Sequence, residues 1–237
     1  MTKNRLLILN IIFIILLGSI AIIERYPSRI YNKLKSQEIS EPSYFNNWRY
    51  QQELGFYEYY QKKGQIVMLG NSITYRADWN ELLNRGDIIN RGIGSDITEG
   101  FLARMDYVYS VNPKLCFIMG GINDIQKGIN AETIKNNLYE ITRKLKEKDI
   151  KPILFSILYV AENYPNYKDF NRSVKLANGK IKEMCSDNAI EYLDLNIILS
   201  ENEILKNEYS LDGIHLTGLG YKKWREVISP IIEREIE

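Results

Sequence analysis

The sequence has very little histidine and cysteine, and this scarcity limits its chemistry. Its 237 residues include one histidine, His215, and two cysteines, Cys116 and Cys185. A structural zinc site needs about four histidine or cysteine ligands, so no such site is expected, and we predict neither a metal nor a cofactor. The cysteines lie in a predicted strand and on an apolar helical face, which favours two separate buried thiols over a disulfide.

An excess of charge is also absent. The chain has 31 basic and 30 acidic residues and a net charge of +1. No basic stripe accompanies this balance, which argues against a nucleic-acid partner. With 45% hydrophobic and 26% charged residues, the composition is that of a globular protein with room for one main domain.

One long apolar run stands at the N-terminus. Residues Leu6 to Ile23 are uncharged and about long enough to span a bilayer core. We interpret the run as an uncleaved membrane anchor in preference to a cleaved signal peptide, with a buried core helix as a third alternative. The predicted organisation is an anchor or signal segment over 1–24, a linker and aromatic-rich helix over 25–62, and the main domain over 63–237.

Aromatic residues are concentrated between Tyr44 and Tyr60. The favoured interpretation is a helix whose rings cover the edge of a sheet, because aromatic residues usually serve packing. The alternatives are a platform at the membrane interface and a surface that stacks on sugars, since amphipathic rings suit both.

Short apolar segments alternate with helical patterns through the main domain. This alternation predicts an α/β fold, a three-layer α/β/α sandwich with a five-stranded, parallel, doubly wound sheet of the flavodoxin-like kind. The predicted strands are Ile66–Leu69, Ile88–Ile89, Leu115–Ile118, Lys151–Leu158 and Ile190–Leu195. The first predicted helices are Ala77–Arg85 and a single helix from a capping box at Asp96 through Tyr109. Three longer helices have apolar residues at helical spacing, which predicts one buried face each. These are a helix capped by Asn130 with the stripe Ile134, Leu138, Ile141 and Leu145, a helix with the stripe Val174, Ala177, Ile181 and Met184, and a last helix after Thr217 with the stripe Tyr221, Trp224, Ile228 and Ile231.

Polar residues follow the ends of several predicted strands, where open α/β sheets place their ligands. Ser72 comes just after the first strand, and a serine hydroxyl needs a base, usually histidine, to become a nucleophile. His215 is the one histidine available, and Asp212 lies three residues before it, close enough for its carboxylate to orient the imidazole. The loop from Tyr159 to Phe170, also at a strand end, is expected to shape the acyl or alcohol pocket, or else to be a plain connection.

Four sequence blocks occur in one order over residues 66–221. They are Gly70-Asn71-Ser72, Asn90 to Asp96, Gly120-Gly121-Ile122-Asn123-Asp124, and Asp212-Gly213-Ile214-His215. In this the chain resembles the SGNH (GDSL-like) hydrolase family of lipases and acylhydrolases. The resemblance implies that Ser72 is the nucleophile, His215 its base and Asp212 the residue that orients the base. Ser72 through its own N–H and Asn123 through its amide would donate to the oxyanion.

Two positions depart from the family pattern. Asn71 replaces the usual aspartate beside the nucleophile, and Ser95 stands where the oxyanion glycine is expected. A backbone N–H would still be available from Ser95, although a positive φ would cost serine energy that glycine avoids. We take Ser95 as the second backbone donor and Gly94 as the alternative.

The resemblance implies a serine esterase located outside the cytoplasm, which would be anchored by the N-terminal run, or secreted if the run is cleaved. The positive charge that follows the run favours the opposite orientation in the membrane, because basic residues usually stay on the cytoplasmic side. These residues are Arg25, Arg29, Lys33 and Lys35. We predict an O-acetylesterase acting on carbohydrate or cell-surface glycan esters. Alternatives are a lysophospholipase or thioesterase acting on lipids, a transacylase, and an inactive, tethered glycan-binding protein.

Overall fold

A computed structural model describes residues 43–236. Its main sheet has five parallel strands in the order β2-β1-β3-β4-β5, which confirms the predicted sheet. This is the strand order of flavodoxin-like folds. The strands are β1 Ile66–Gly70, β2 Ile88–Gly92, β3 Leu115–Met119, β4 Lys151–Phe155 and β5 Glu191–Leu193.

Helices connect these strands, and one small hairpin was not predicted. The helices are α1 Trp48–Tyr57, α2 Ser72–Tyr75, α3 Trp79–Leu83, α4 Thr98–Ala103, α5 Asp106–Tyr109, α6 Ile122–Gln126, α7 Ala131–Lys146, α8 Tyr167–Asp187, α9 Asn196–Leu199 and α10 Gly218–Ile236, with a 3-10 turn at Asn207–Tyr209. The hairpin pairs β6 Ser200–Glu201 with β7 Ile204–Leu205 in antiparallel fashion.

The sheet separates two apolar cores. Val67 and Leu69 of β1 contribute to the core that also contains the buried faces of α7 and α8. Ile66 and Met68 point to the opposite face, where they join the core under α10, because successive side chains of a strand alternate between faces. The three-layer prediction is therefore confirmed. The stripes predicted for α7, α8 and α10 are all buried, and Asn130 accepts the Thr133 N–H as the cap of α7.

Two predicted boundaries near β4 are wrong. β4 ends at Phe155 rather than Leu158, because the side chain of Asn178 pairs with both the N–H and the carbonyl of Ile157 at 2.8 Å and takes the place of a neighbouring strand. The loop predicted to reach Phe170 ends earlier, since α8 begins at Tyr167. β5 is also shorter than predicted at both ends.

The single helix predicted from Asp96 through Tyr109 is also wrong. The chain forms α4 and α5 instead, and Arg104 between them leaves the helical conformation at φ −116° and ψ 22°. Asp96 does not cap α4 through a box with Glu99. The carboxylate of Asp124 caps α4 instead, by accepting the Thr98 N–H at 3.1 Å.

The aromatic-rich segment forms α1, and its rings divide between two environments. Tyr50 and Tyr57 are buried, and the Tyr57 hydroxyl donates to the carbonyl of Gly92 at the end of edge strand β2. The prediction that rings cover the sheet edge is thus confirmed for Tyr57, whereas Tyr50 bonds to Gly100 of α4 and Trp48 and Phe56 are exposed. Cys116 and Cys185 are both buried free thiols, as predicted.

The predicted membrane anchor over residues 6–23 lies outside the described residues. From residue 43 to residue 236, no helix combines the length and the apolarity needed to cross a membrane.

Candidate active site

Ser72 lies at the carboxyl end of β1, as the first residue of α2. Asn71 caps this short helix by accepting the Ile73 N–H at 3.0 Å, so the replacement of the usual aspartate leaves the turn intact. Gly92 of β2 allows α2 to approach the sheet closely, because a Cβ there would lie 2.4 Å from the Tyr75 nitrogen. The turn that carries Ser72 is therefore held directly against two neighbouring strands.

Asn90 supports this turn from β2. Its Nδ2 lies 3.1 Å from the carbonyl oxygens of Thr74, Tyr75 and Ala77, at the end of α2, and its Oδ1 accepts the Gly92 N–H at 2.8 Å. Sequence reasoning placed Asn90 in the second block but gave it no role. The available signal was an amide within an apolar strand, where a polar side chain needs partners.

Ser72, His215 and Asp212 are brought together as the sequence analysis expected. Ser72 Oγ lies 3.0 Å from His215 Nε2, and His215 Nδ1 lies 2.6 Å from Asp212 Oδ2. The other oxygen of Asp212 accepts the backbone N–H groups of Ile214 and His215 at 3.1 and 2.8 Å. Partial burial opposes ionisation, but these hydrogen bonds prevail and hold the pKa of Asp212 below its usual range.

Asn123 and Ser95 follow the ends of β3 and β2, the two strands that pair with β1. Asn123 is in the first turn of α6 after β3, and its amide donates one hydrogen bond to the Asp96 carbonyl at 2.8 Å, which leaves a second N–H for a ligand. Ser95 is exposed and has φ +61°, the left-handed conformation that favours glycine. Gly94 is buried, with space for a Cβ blocked by the Arg49 side chain.

Arg104 anchors the loop that carries Ser95 through buried hydrogen bonds. This fully buried guanidinium donates to the Asp96 carboxylate at 2.9 Å, to the Arg91 carbonyl at 2.8 Å and to the Gly70 carbonyl at 3.1 Å. Burial raises the pKa of Asp96 to about 6, although the charge of Arg104 opposes that rise. Sequence reasoning missed Arg104, and the signal was a charged residue among the apolar positions of its segment.

The loop after β4 contacts the segment that carries the Asp212 and His215 pair. Ala161 donates its N–H to the Gly213 carbonyl at 2.8 Å, and the Asn163 amide donates to the Leu211 carbonyl at 3.1 Å. That this loop shapes the acyl or alcohol pocket stays a prediction. Among the residues from 43 to 236, no three histidine, cysteine, aspartate or glutamate side chains are grouped so that they could hold a metal ion.

Residues 68–223 match the GDSL-like Lipase/Acylhydrolase family. The chain belongs to this family and is a carboxylic ester hydrolase. It is similar to a solved GDSL-like lipase from Bacteroides thetaiotaomicron, with 26% identity, a TM-score of 0.69, and coverage of 78% of this chain and 97% of that one. The solved lipase/acylhydrolase from Enterococcus faecalis shares the fold, with 21% identity, a TM-score of 0.62, and coverage of 73% and 97%.

A third similarity is to a curated protein that is matched over part of its length. The chain is 24% identical over 165 residues to an N-acylneuraminate cytidylyltransferase of Streptococcus agalactiae serotype V. The match covers 69% of this chain but 37% of that protein.

Proposed function

We propose that the chain hydrolyses esters through a Ser-His-Asp triad formed by Ser72, His215 and Asp212. The observation that carries this proposal is the continuous hydrogen-bonded chain from Ser72 Oγ through both ring nitrogens of His215 to the Asp212 carboxylate. In the other serine hydrolases that use this constellation, the aspartate selects the histidine tautomer that can accept the serine proton.

In the proposed first step, His215 Nε2 takes the hydroxyl proton as Ser72 Oγ attacks the ester carbonyl. The N–H groups of Ser72 and Ser95 and the Asn123 amide stabilise the resulting oxyanion. His215 then gives its proton to the departing alcohol oxygen, which leaves an acyl group on Ser72. Water, deprotonated by His215, attacks this acyl group and releases the acid, and the proton returns to Ser72.

We propose an acetylated carbohydrate as the substrate and an enzyme tethered by the apolar run over residues 6–23. The similarity to a protein named for N-acylneuraminate, a sugar acid, supports a sugar substrate. The 18-residue length of the uncharged run supports the tether. Lipid esters and thioesters are the competing substrates, and acyl-length preference separates them from acetylated sugars.

Hydrolysis of p-nitrophenyl acetate by the full chain tests the triad. We expect Ser72→Ala and His215→Ala to fall to background while their circular dichroism matches the parent, and Ser229→Ala, at a half-buried serine on α10, to stay active. Activity that persists in Ser72→Ala would contradict the proposed nucleophile.

A series of p-nitrophenyl esters of increasing acyl length then tests the substrate. A sharp fall in activity beyond two to four carbons supports an acetylesterase, and a rise in activity supports a lipase.

A further inference from the structure

The segment that precedes β1 contacts the loop that carries Ser95, although it lies outside the residues that match the family. The Asn47 amide donates to the Gly94 carbonyl at 2.7 Å, and the buried Tyr50 hydroxyl donates to the Gly100 carbonyl at 3.2 Å. With the Tyr57 bond to Gly92, these contacts hold α1 along the whole loop that carries Ser95. Side chains on α1 therefore have a defined position beside the oxyanion donors.

Arg49 is the α1 side chain in contact with this loop. Its Cδ lies 2.8 Å from the point that a Cβ on Gly94 would occupy, so a larger residue at position 94 would displace the arginine stem. Gly94 immediately precedes Ser95, the proposed backbone donor to the oxyanion. The arginine stem thus reaches the residue that precedes the proposed oxyanion donor.

The charge of Arg49 is available for a ligand. The residue is exposed, its guanidinium lies 4.5 Å from the centroid of the Trp48 ring, and it has no carboxylate partner in the part of the chain that the structure describes. By contrast, exposed Arg143 and Arg234 each pair with two glutamates. A guanidinium against an aromatic face keeps its N–H edge open, and that edge matches a carboxylate in a bidentate way.

We propose that Arg49 binds a carboxylate of the ester substrate and so selects esters of acidic sugars over neutral ones. This inference rests on the proposed function, since it places the anion beside the oxyanion donors named there. Trp48 supports the charged group, Asn47 holds the start of α1 against Gly94, and the Gly94 backbone leaves room for the arginine stem. Arg49 is then a residue that determines specificity and takes no part in proton transfer.

Inhibition of p-nitrophenyl acetate hydrolysis tests this proposal with N-acetylneuraminate and its neutral carboxamide as competing ligands. We expect the acid to inhibit the parent at a concentration about tenfold lower than the carboxamide, a factor typical of one charge-assisted pair. Arg49→Gln should remove this preference, and Arg49→Lys should keep part of it, because lysine keeps the charge without the planar fork. Arg143→Gln, which removes an exposed arginine from the last turn of α7, should keep the full preference.

Equal inhibition by the acid and the carboxamide in the parent would overturn the proposal. A preference for the acid that survives in Arg49→Gln would overturn it as well. Calorimetric titration of the same two ligands against Ser72→Ala separates this outcome from failure of the triad. If Ser72→Ala loses turnover but still binds the acid more tightly than the carboxamide, both proposals are supported. If Ser72→Ala keeps turnover, the triad is contradicted, and the ligand preference alone decides the role of Arg49.

Discussion

Arg104 Nε donates a hydrogen bond to Asp96 Oδ2 at 2.9 Å, and neither side chain is exposed to solvent. Removing one partner of a buried ion pair leaves the other charge unpaired, which typically costs about 3 to 5 kcal/mol. We therefore expect Asp96→Asn to lower the free energy of unfolding by about that amount, as measured by urea denaturation.

A matched control is Glu140→Gln, which removes one partner of an exposed pair with Arg143 on α7. An exposed pair of this kind contributes little to stability, because solvent screens it. If Asp96→Asn were no more destabilising than Glu140→Gln, the ion pair between Arg104 and Asp96 would not be important for stability.

Asn123→Ala tests the side-chain donor to the oxyanion. Loss of one such donor costs about 3 to 4 kcal/mol of barrier in other hydrolases, so kcat for p-nitrophenyl acetate should fall about a hundredfold or more. The amide also holds the Asp96 carbonyl, and the melting temperature must be measured beside kcat. Asn136→Ala, at an exposed position on α7, should change neither value. A fall of less than tenfold would contradict the assigned role.

The sequence predicted the parts of the site that depend on local pattern. Apolar strands that end in polar residues placed Ser72 and Asn123 at one edge of a parallel sheet, and the three-residue spacing put Asp212 within reach of His215. These inferences need no knowledge of the packing, because parallel strands end at a shared edge.

The supporting contacts could not be predicted in the same way, since their partners are far apart in sequence. The capping pattern at Asp96 and Glu99 favoured a local box, but burial beside Arg104 engaged Asp96, and Asp124 from the next loop capped α4 instead. Tertiary contacts thus replaced a locally favourable cap. Asn178, which ends β4, likewise lies 21 residues from its partner Ile157.

Ser95→Gly tests the strained backbone of the second block. A left-handed conformation costs a non-glycine residue about 1 to 2 kcal/mol, part of which glycine gives back through greater freedom in the unfolded chain. We expect a free energy of unfolding that is unchanged or higher by up to about 1 kcal/mol, with esterase activity retained because the donor is a backbone N–H. Ser95→Ala keeps the strain and should not gain. Loss of activity in Ser95→Gly would show that the serine hydroxyl is required.

Asp212→Asn tests the carboxylate that orients His215. Asparagine can still accept the two backbone N–H groups, so the loop should stay folded. The value of kcat should fall by a factor on the order of ten thousand, as it does in other serine hydrolases when asparagine replaces the triad aspartate and favours the wrong histidine tautomer. Folding lowers the pKa of Asp212. Its ionised form therefore stabilises the protein at pH values above the pKa of an aspartate in the unfolded chain, about 4, and this contribution is lost as the pH falls further.

The melting temperatures of the parent and Asp212→Asn should therefore differ at pH 7 and converge as the pH falls below about 4. A difference that grows as the pH falls below about 4 would contradict a lowered pKa.

Asn90→Asp removes the amide donor beneath the nucleophile turn while keeping its shape and its acceptor for the Gly92 N–H. The carboxylate would face the carbonyl oxygens at the end of α2, so we expect a loss of about 1 to 3 kcal/mol in the free energy of unfolding. Since α2 carries Ser72 opposite His215, kcat should fall while KM changes little. Asn136→Asp, at an exposed position on α7, adds the same charge without these contacts. If both variants lost the same small amount of stability and kept kcat, the position of Ser72 would not depend on Asn90.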